Sequence, residues 1–281
     1  MQLDLVDVFG SKPLSGNPLA VVRGGEALEA PQMLALTRWL GFSETAFLLP
    51  PTDPAADYRV RMFYPAGELP FAGHPTLGSC HAWLAAGGWP RRPGQIVQEC
   101  AAGLIPIRQE DGRLAFRAPP LLRSGPLTDA ERSAAANLVG VPIEAVVDGI
   151  HVSNGPRWQL LRLRSADDVL AAEPAAKAPP GTDIGLAGPH DTSGDADFQV
   201  RAFFSDSFGR MTEDPVTGSL NAGIAQSLFA AGLASDSYIA AQGGKVGADG
   251  RVHCAQDGAG AVWIGGRCDM IAQGAEISPA I

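Results

Sequence analysis

Apolar positions recur along the chain with two different periods. Extended runs rich in β-branched and aromatic residues, LDLVDVF at 3–9, LAVVR at 19–23, YRVRMFY at 58–64, QVRAFF at 199–204 and AVWIGG at 261–266, predict strands. Two Asp-Gly pairs, Asp111-Gly112 in GLIPIRQEDGRLAFRA and Asp249-Gly250 in GGKVGADGRVHCA, predict tight hairpin turns. Helical patterning covers Pro31 to Leu40, Thr128 to Val139, and two segments that follow the extended runs around residues 63 and 203. The stretch 174–197, dense in Pro, Gly and Asp, reads as loop.

The two helices after the extended runs belong to a repeat. With a shift of 140 residues and no gap, Arg61 meets Arg201, Phe63 meets Phe203 and Pro75 meets Pro215. Gly78, Ser79, Ala82 and Ala85 then meet Gly218, Ser219, Ala222 and Ala225. The matched residues share a layout of strand, loop, polar residue, proline and small-residue helix, with Gly87 or Gly232 where each helix would stop. The shift is half the chain, which implies a duplicated α/β fold, with halves expected at 1–112 and 113–281 and the final segment packing back on the first half. In this alignment His74 falls opposite Asp214, so each half offers one ionisable residue directly before a proline-initiated helix. PTLGSCHAWLAAG and PVTGSLNAGIAQSLFAAG are nearly free of charge and are expected to be buried at the centre of each half. Two such helix starts facing each other across a cleft would hold an anionic group, because unpaired N–H groups and the helix dipole meet there.

Composition narrows the function classes. The 281 residues carry 21 Lys and Arg against 30 Asp and Glu, a net charge of −9 without a basic cluster, which argues against nucleic acid as a partner. No apolar run reaches the roughly 18 residues of a membrane span, and MQLDLVDVFGSK lacks the basic start of a signal peptide, so a cytoplasmic protein is expected. Cys80, Cys100, Cys254 and Cys268 show no metal-binding spacing and are expected to be reduced and mostly buried. No motif calls for a metal, nucleotide or pyridoxal cofactor, so the chemistry must run on side chains.

Three segments carry that chemistry. Ser43-Glu44-Thr45 precedes the apolar run AFLL; a Glu there is ordinarily solvated, but one drawn into an apolar cleft has its pKa raised until it can take and return a proton. His74, in FAGHPTLG, follows Gly73, which lets a ligand approach closely. Asp214, in EDPVTGS, suits a helix N-cap, and one oxygen can cap while the other binds a ligand; Glu213 reads as its solvated neighbour.

Taken in order, VDVFGSKPLSGNPLAVV at 6–22, GFSETAFLLP at 41–50, ELPFAGHPTLG at 68–78 and EDPVTGS at 213–219 resemble the signature segments of the phenazine-biosynthesis isomerase (PhzF-like) family. The resemblance implies the diaminopimelate-epimerase fold, two pseudo-symmetric α/β halves, each a strand layer around a central helix, with the active site between them. It implies Glu44 as the acid/base that moves a proton between carbons. His74 and Asp214 would bind and polarise the substrate, and Ser43, Gly73, Gly218 and Ser219 would line the site. It further implies a cofactor-free isomerisation of a small carboxylate such as a dihydro-hydroxyanthranilate, in a homodimer.

Two departures qualify the resemblance. Racemases of this fold carry a cysteine at each central helix start, whereas no cysteine lies in GHPT or EDPVTGS. The segment QGGKVGADGRVHC lacks the arginine expected nearer its first glycines, which leaves open what Lys245 and Arg251 do for substrate choice. A racemase or epimerase built on Glu44 and a partner base, and a binding protein without turnover, remain alternatives.

Overall fold

The same series of strand pairings is written twice along the chain, in a computed structural model that describes residues 1–191 and 194–278. In the first half come β1 (Gln2–Val8), β2 (Asn17–Arg23), α1 (Ala30–Leu40), β3 (Thr45–Leu49), β4 (Tyr58–Tyr64), β5 (Gly67–Leu69), α2 (Gly73–Ala85), β6 (Ile96–Cys100), β7 (Gly103–Glu110) and β8 (Arg113–Arg117). The second half has β9 (Arg123–Pro126), α3 (Asp129–Val139), β10 (Val146–Ser153), β11 (Gln159–Leu163), α4 (Ala166–Leu170), β12 (Asp183–Pro189), β13 (Phe198–Ser205), β14 (Met211–Asp214) and α5 (Gly218–Ala230). The chain then runs through β15 (Ser237–Gln242), β16 (Gly250–Gln256), β17 (Val262–Gly266) and β18 (Cys268–Glu276).

In the first half β1 and β2 pair antiparallel, β2 and β3 parallel, β3 and β4 antiparallel, β4 and β6 parallel, and β6 and β7 antiparallel. The second half repeats that order with β10, β11, β12, β13, β15 and β16. The chain divides into one unit of Met1–Arg117 with the residues from Gly265 onward, and another of Ala118–Ile264. A division at residue 112 would cut the β7–β8 hairpin turn, where Asp111 and Gly112 take φ of 49° and 74° as a two-residue turn requires. β18 pairs antiparallel with β1, and so returns the end of the chain to the first unit.

The repeat is real but its register changes. β4 and β13 begin 140 residues apart, at Tyr58 and Phe198, and Arg61 and Arg201 lie over the Phe63 and Phe203 rings at 5.1 and 4.8 Å. Each arginine makes a bidentate pair with a glutamate of the next short strand, Glu68 or Glu213, and these stand 145 residues apart. The central helices keep the 145-residue spacing, starting at Gly73 and Gly218. The ungapped alignment is therefore out of step by five residues beyond the loop: His74 corresponds to Ser219, not Asp214, and the match of Pro75 with Pro215 is fortuitous.

Both central helices are buried and nearly free of charge, as their composition requires. Their close packing rests on glycines at matching positions. A Cβ on Gly78 would lie 2.5 Å from Leu19 Cδ2, and one on Gly223 would lie 2.7 Å from the Val152 carbonyl oxygen.

Other expectations are corrected. The stretch 174–197 contains β12, a strand between parallel β11 and antiparallel β13. The glycines within β12 reflect close approach, not a turn: a Cβ on Gly185 would lie 2.4 Å from Leu220 Cδ1. Asp249-Gly250 is not a hairpin turn either. β15 and β16 are joined by residues 243–249, which include a 3-10 turn at Gly244–Val246, and Gly250 is already paired opposite Gln242.

Candidate functional site

In the first unit, Glu44 stands just ahead of β3, a strand whose five residues are all buried between β2 and β4. That placement carries the Glu44 carboxyl into an apolar setting. Burial pushes it up from 4.5 to about 7, against the lowering effect of the Ser43 hydroxyl. Its Oε2 atom lies 3.4 Å from His74 Nε2, longer than a good hydrogen bond but within ion-pair range. His74 is buried in the first turn of α2, which begins at Gly73 with Ala72 as the capping residue; it does not precede the helix as the sequence suggested. Ser43 is exposed, and its hydroxyl donates to Asn17 Oδ1 at 3.4 Å. The Ser43, Glu44, Gly73 and His74 positions thus gather around the start of α2.

The loop beside Ser43 is built by a buried carboxylate. Asp7 accepts from the backbone N–H of Ser15 at 3.0 Å and of Gly16 at 2.9 Å, and the loop carries left-handed residues at Phe9 and Leu14. Burial raises the Asp7 pKa; the N–H groups of Ser15, Gly16 and Leu14 oppose that rise and Asp269 adds to it.

In the second unit, Asp214 ends β14 opposite Ala202 and is not a helix cap. The residue before a proline is biased away from helical geometry, so Pro215 keeps Asp214 extended, and α5 begins three residues later at Gly218 behind Thr217. Asp214 Oδ2 accepts from Thr217 Oγ1 at 2.5 Å. Glu213 is not solvated: it forms a buried pair with Arg201, which also donates to the carbonyls of Val169 and Ala172. Gly218 and Ser219 are buried in the first turn of α5. Ser219 Oγ accepts from Trp158 Nε1 at 3.1 Å and its carbonyl accepts from Asn154 Nδ2 at 2.8 Å.

Sequence reasoning assigned no role to Asn17, Asn154, Trp158, Thr217 or Gln242. A polar residue at a buried position of a strand, as Gln242 is in SYIAAQ, was the available signal. Arg251 is committed to Asp195 and Asp249, whereas Lys245 is exposed on the 3-10 turn. Among the described residues no group of three or more His, Cys, Asp or Glu could hold a metal ion, and no helix is long and apolar enough to cross a membrane.

The chain is similar to known proteins over much of its length. The chain is 36% identical over 179 residues to antisense-enhancing sequence 1 of Schizosaccharomyces pombe, covering 60% of each chain. It is 33% identical over 181 residues to a trans-2,3-dihydro-3-hydroxyanthranilate isomerase of Pseudomonas aeruginosa, covering 62% of this chain and 61% of that one. The matched stretch thus spans about three fifths of the length of these curated relatives. A PhzF-family phenazine biosynthesis protein of Bacillus anthracis has the same fold, with a TM-score of 0.81 at 21% identity over 99% of both chains. A hydroxyproline epimerase of Agrobacterium vitis superposes at a TM-score of 0.61 and 15% identity over 99% of this chain and 93% of that one, and the fold is diaminopimelate-epimerase-like. The family model described as phenazine biosynthesis-like protein (PhzC-PhzF) matches residues 6–274, and the chain belongs to that family.

Proposed function

We propose that the chain is a cofactor-independent isomerase that moves a proton between two carbons of a small cyclic or unsaturated amino or hydroxy acid, with Glu44 as the group that carries it. The observation behind this reading is the Glu44 carboxyl, half-buried with its Oε2 shielded from solvent beside His74, and raised to about 7. Near neutral pH it is present in both protonation states, which suits a group that must remove a proton and give it back. In the reaction, ionised Glu44 takes a proton from one carbon as that C–H bond breaks and the double bond shifts. Protonated Glu44 then delivers the proton to the receiving carbon. Atoms and electrons balance within the substrate and the carboxyl, and no redox partner is involved.

His74, Ser43 and Gly73 would hold the substrate's polar groups near Glu44; Asp214, Gly218 and Ser219 are the residues of the second unit for which the family resemblance implies substrate binding. Relatives named trans-2,3-dihydro-3-hydroxyanthranilate isomerase support an isomerase acting on that class of acid. The cysteines weigh against the racemase alternative. None stands in the first turn of either central helix, and burial pushes Cys80 and Cys254 up to about 12, far from an active thiolate.

Incubation with trans-2,3-dihydro-3-hydroxyanthranilate should give rearranged product from the wild type. Glu44→Gln should reduce turnover by roughly 10²–10⁴-fold, the usual worth of a general acid–base group. Near-normal turnover by Glu44→Gln would remove Glu44 from the mechanism. The assembly proposed is a homodimer, and sedimentation of a single 29.2 kDa species at micromolar concentration would contradict it.

A further inference from the structure

Beside Asp214 lies an amide that uses all of its hydrogen-bonding capacity. Gln242, the last residue of β15, is 1% exposed. Its Nε2 donates to the Asp214 carbonyl at 3.2 Å and to Thr217 Oγ1 at 2.9 Å. Its Oε1 accepts from Thr217 N at 3.1 Å and from Asn221 Nδ2 at 2.9 Å. Two donated and two accepted bonds saturate a glutamine side chain. The amide cannot be turned round, because the backbone N–H of Thr217 only donates and therefore requires the oxygen.

That direction passes to the carboxylate. Thr217 Oγ1 accepts from Gln242, so its single proton is committed to Asp214 Oδ2. The result is a one-way chain, Gln242 Nε2–H to Thr217 Oγ1–H to Asp214 Oδ2, ending in a hydrogen bond donated to the carboxylate. Holding the turn together does not require this arm. The Oε1 side of Gln242 already ties Thr217 N and Asn221, and close packing fixes the loop against the turn. A Cβ on Gly243 would lie 2.5 Å from the Pro215 carbonyl oxygen, and one on Gly250 would lie 2.4 Å from Val216 Cγ2.

We propose that Gln242, acting through the Thr217 hydroxyl, is the positioning residue of Asp214, fixing the orientation in which that carboxylate meets a ligand. Its consequence for turnover rests on the reading that Asp214 binds substrate; the relay itself does not.

The relay is tested without ligand by titrating the full-length protein labelled with ¹³Cγ-aspartate, the Asp214 signal being assigned by its loss in Asp214→Asn. A donated hydrogen bond favours the ionised carboxylate, so Thr217→Val should move the Asp214 midpoint upward by at least about half a pH unit. Thr217→Ser, which keeps the hydroxyl, should restore it. Gln242→Met should shift the midpoint in the wild type but add nothing in a Thr217→Val background. An unmoved midpoint in Thr217→Val, or equal shifts by Gln242→Met in both backgrounds, would overturn the proposal. With trans-2,3-dihydro-3-hydroxyanthranilate as probe, KM should rise roughly tenfold or more in Thr217→Val, with kcat little changed and KM recovered in Thr217→Ser. An unchanged KM beside a shifted titration would refute the positioning role. Failure of the wild type to act on the probe would instead refute the functional reading and leave the titration to decide the relay.

Discussion

Replacing Glu44 by glutamine is expected to stabilise the protein at neutral and alkaline pH while it destroys activity. The Glu44 carboxyl is raised in the folded chain to about 7 from an ordinary value of 4.5. A carboxyl raised by folding contributes its full stability below the unfolded value, and that contribution is lost as pH rises through the folded value. Between the two values the unfolded chain ionises while the folded chain resists, at about 1.4 kcal/mol for each pH unit, so the ceiling is about 3 kcal/mol. The side chain keeps 20% of its exposure, and solvent screening there reduces the cost of its charge. The expected difference above pH 7.5 is therefore about 1–3 kcal/mol. Glutamine preserves the shape and never ionises. Urea midpoints of wild type and Glu44→Gln should coincide near pH 4, separate between pH 5 and 7, and stay separated by a constant amount above that. A difference independent of pH would refute the argument that burial holds this carboxyl back from ionising.

The duplicated halves supply internal controls for three further expectations. Arg201 and Glu213 are a buried pair, with side chains 5% and 8% exposed, whereas Arg61 and Glu68 keep 28% and 34%. Arg201→Ala should then cost about 3–5 kcal/mol by stranding a buried charge and Arg61→Ala at most about 1 kcal/mol, as read from denaturant unfolding. Gly78→Ala meets the end of a leucine side chain, which can move, whereas Gly223→Ala meets a backbone carbonyl. The second should lower the thermal midpoint more, and the reverse order would contradict the packing described. Cys80 and Cys254 are buried with thiols pushed up to about 12, so a thiol reagent at pH 8 should label them only after unfolding.

Much of the fold was legible because short-range chemistry fixed it. The Asp111-Gly112 turn, the strand at 58–64 and the helix read over Thr128 to Val139, observed as α3, arise from local residue choice. The helix starts were not legible to within a few residues. Proline suggested a start at 215, but strand pairing with β13 held Asp214 extended and moved the start of α5 to Gly218. The same five-residue difference misaligned the repeat beyond the loop, because Arg61 and Arg201 keep the spacing of β4 and β13 while Glu68 and Glu213 keep the spacing of the central helices. β12 was hidden because its glycines serve close packing, Gly185 against Leu220 of α5 and Gly188 against Ser165 and Val169, a tertiary cause that local composition does not reveal. Among the candidate residues, Glu44, His74 and Asp214 stood out as ionisable groups beside small or apolar residues. Gln242 and Trp158 did not, since their partners lie far along the chain.

The central claim is that one carboxyl, Glu44, carries a proton from one carbon to another. Turnover of trans-2,3-dihydro-3-hydroxyanthranilate in deuterated water, followed by mass spectrometry and NMR of substrate and product, tests it most directly. The account predicts rearranged product with at most one deuterium, placed at the receiving carbon, and loss of that product in Glu44→Gln. Recovered substrate with an inverted, deuterated centre and no rearranged product would contradict it.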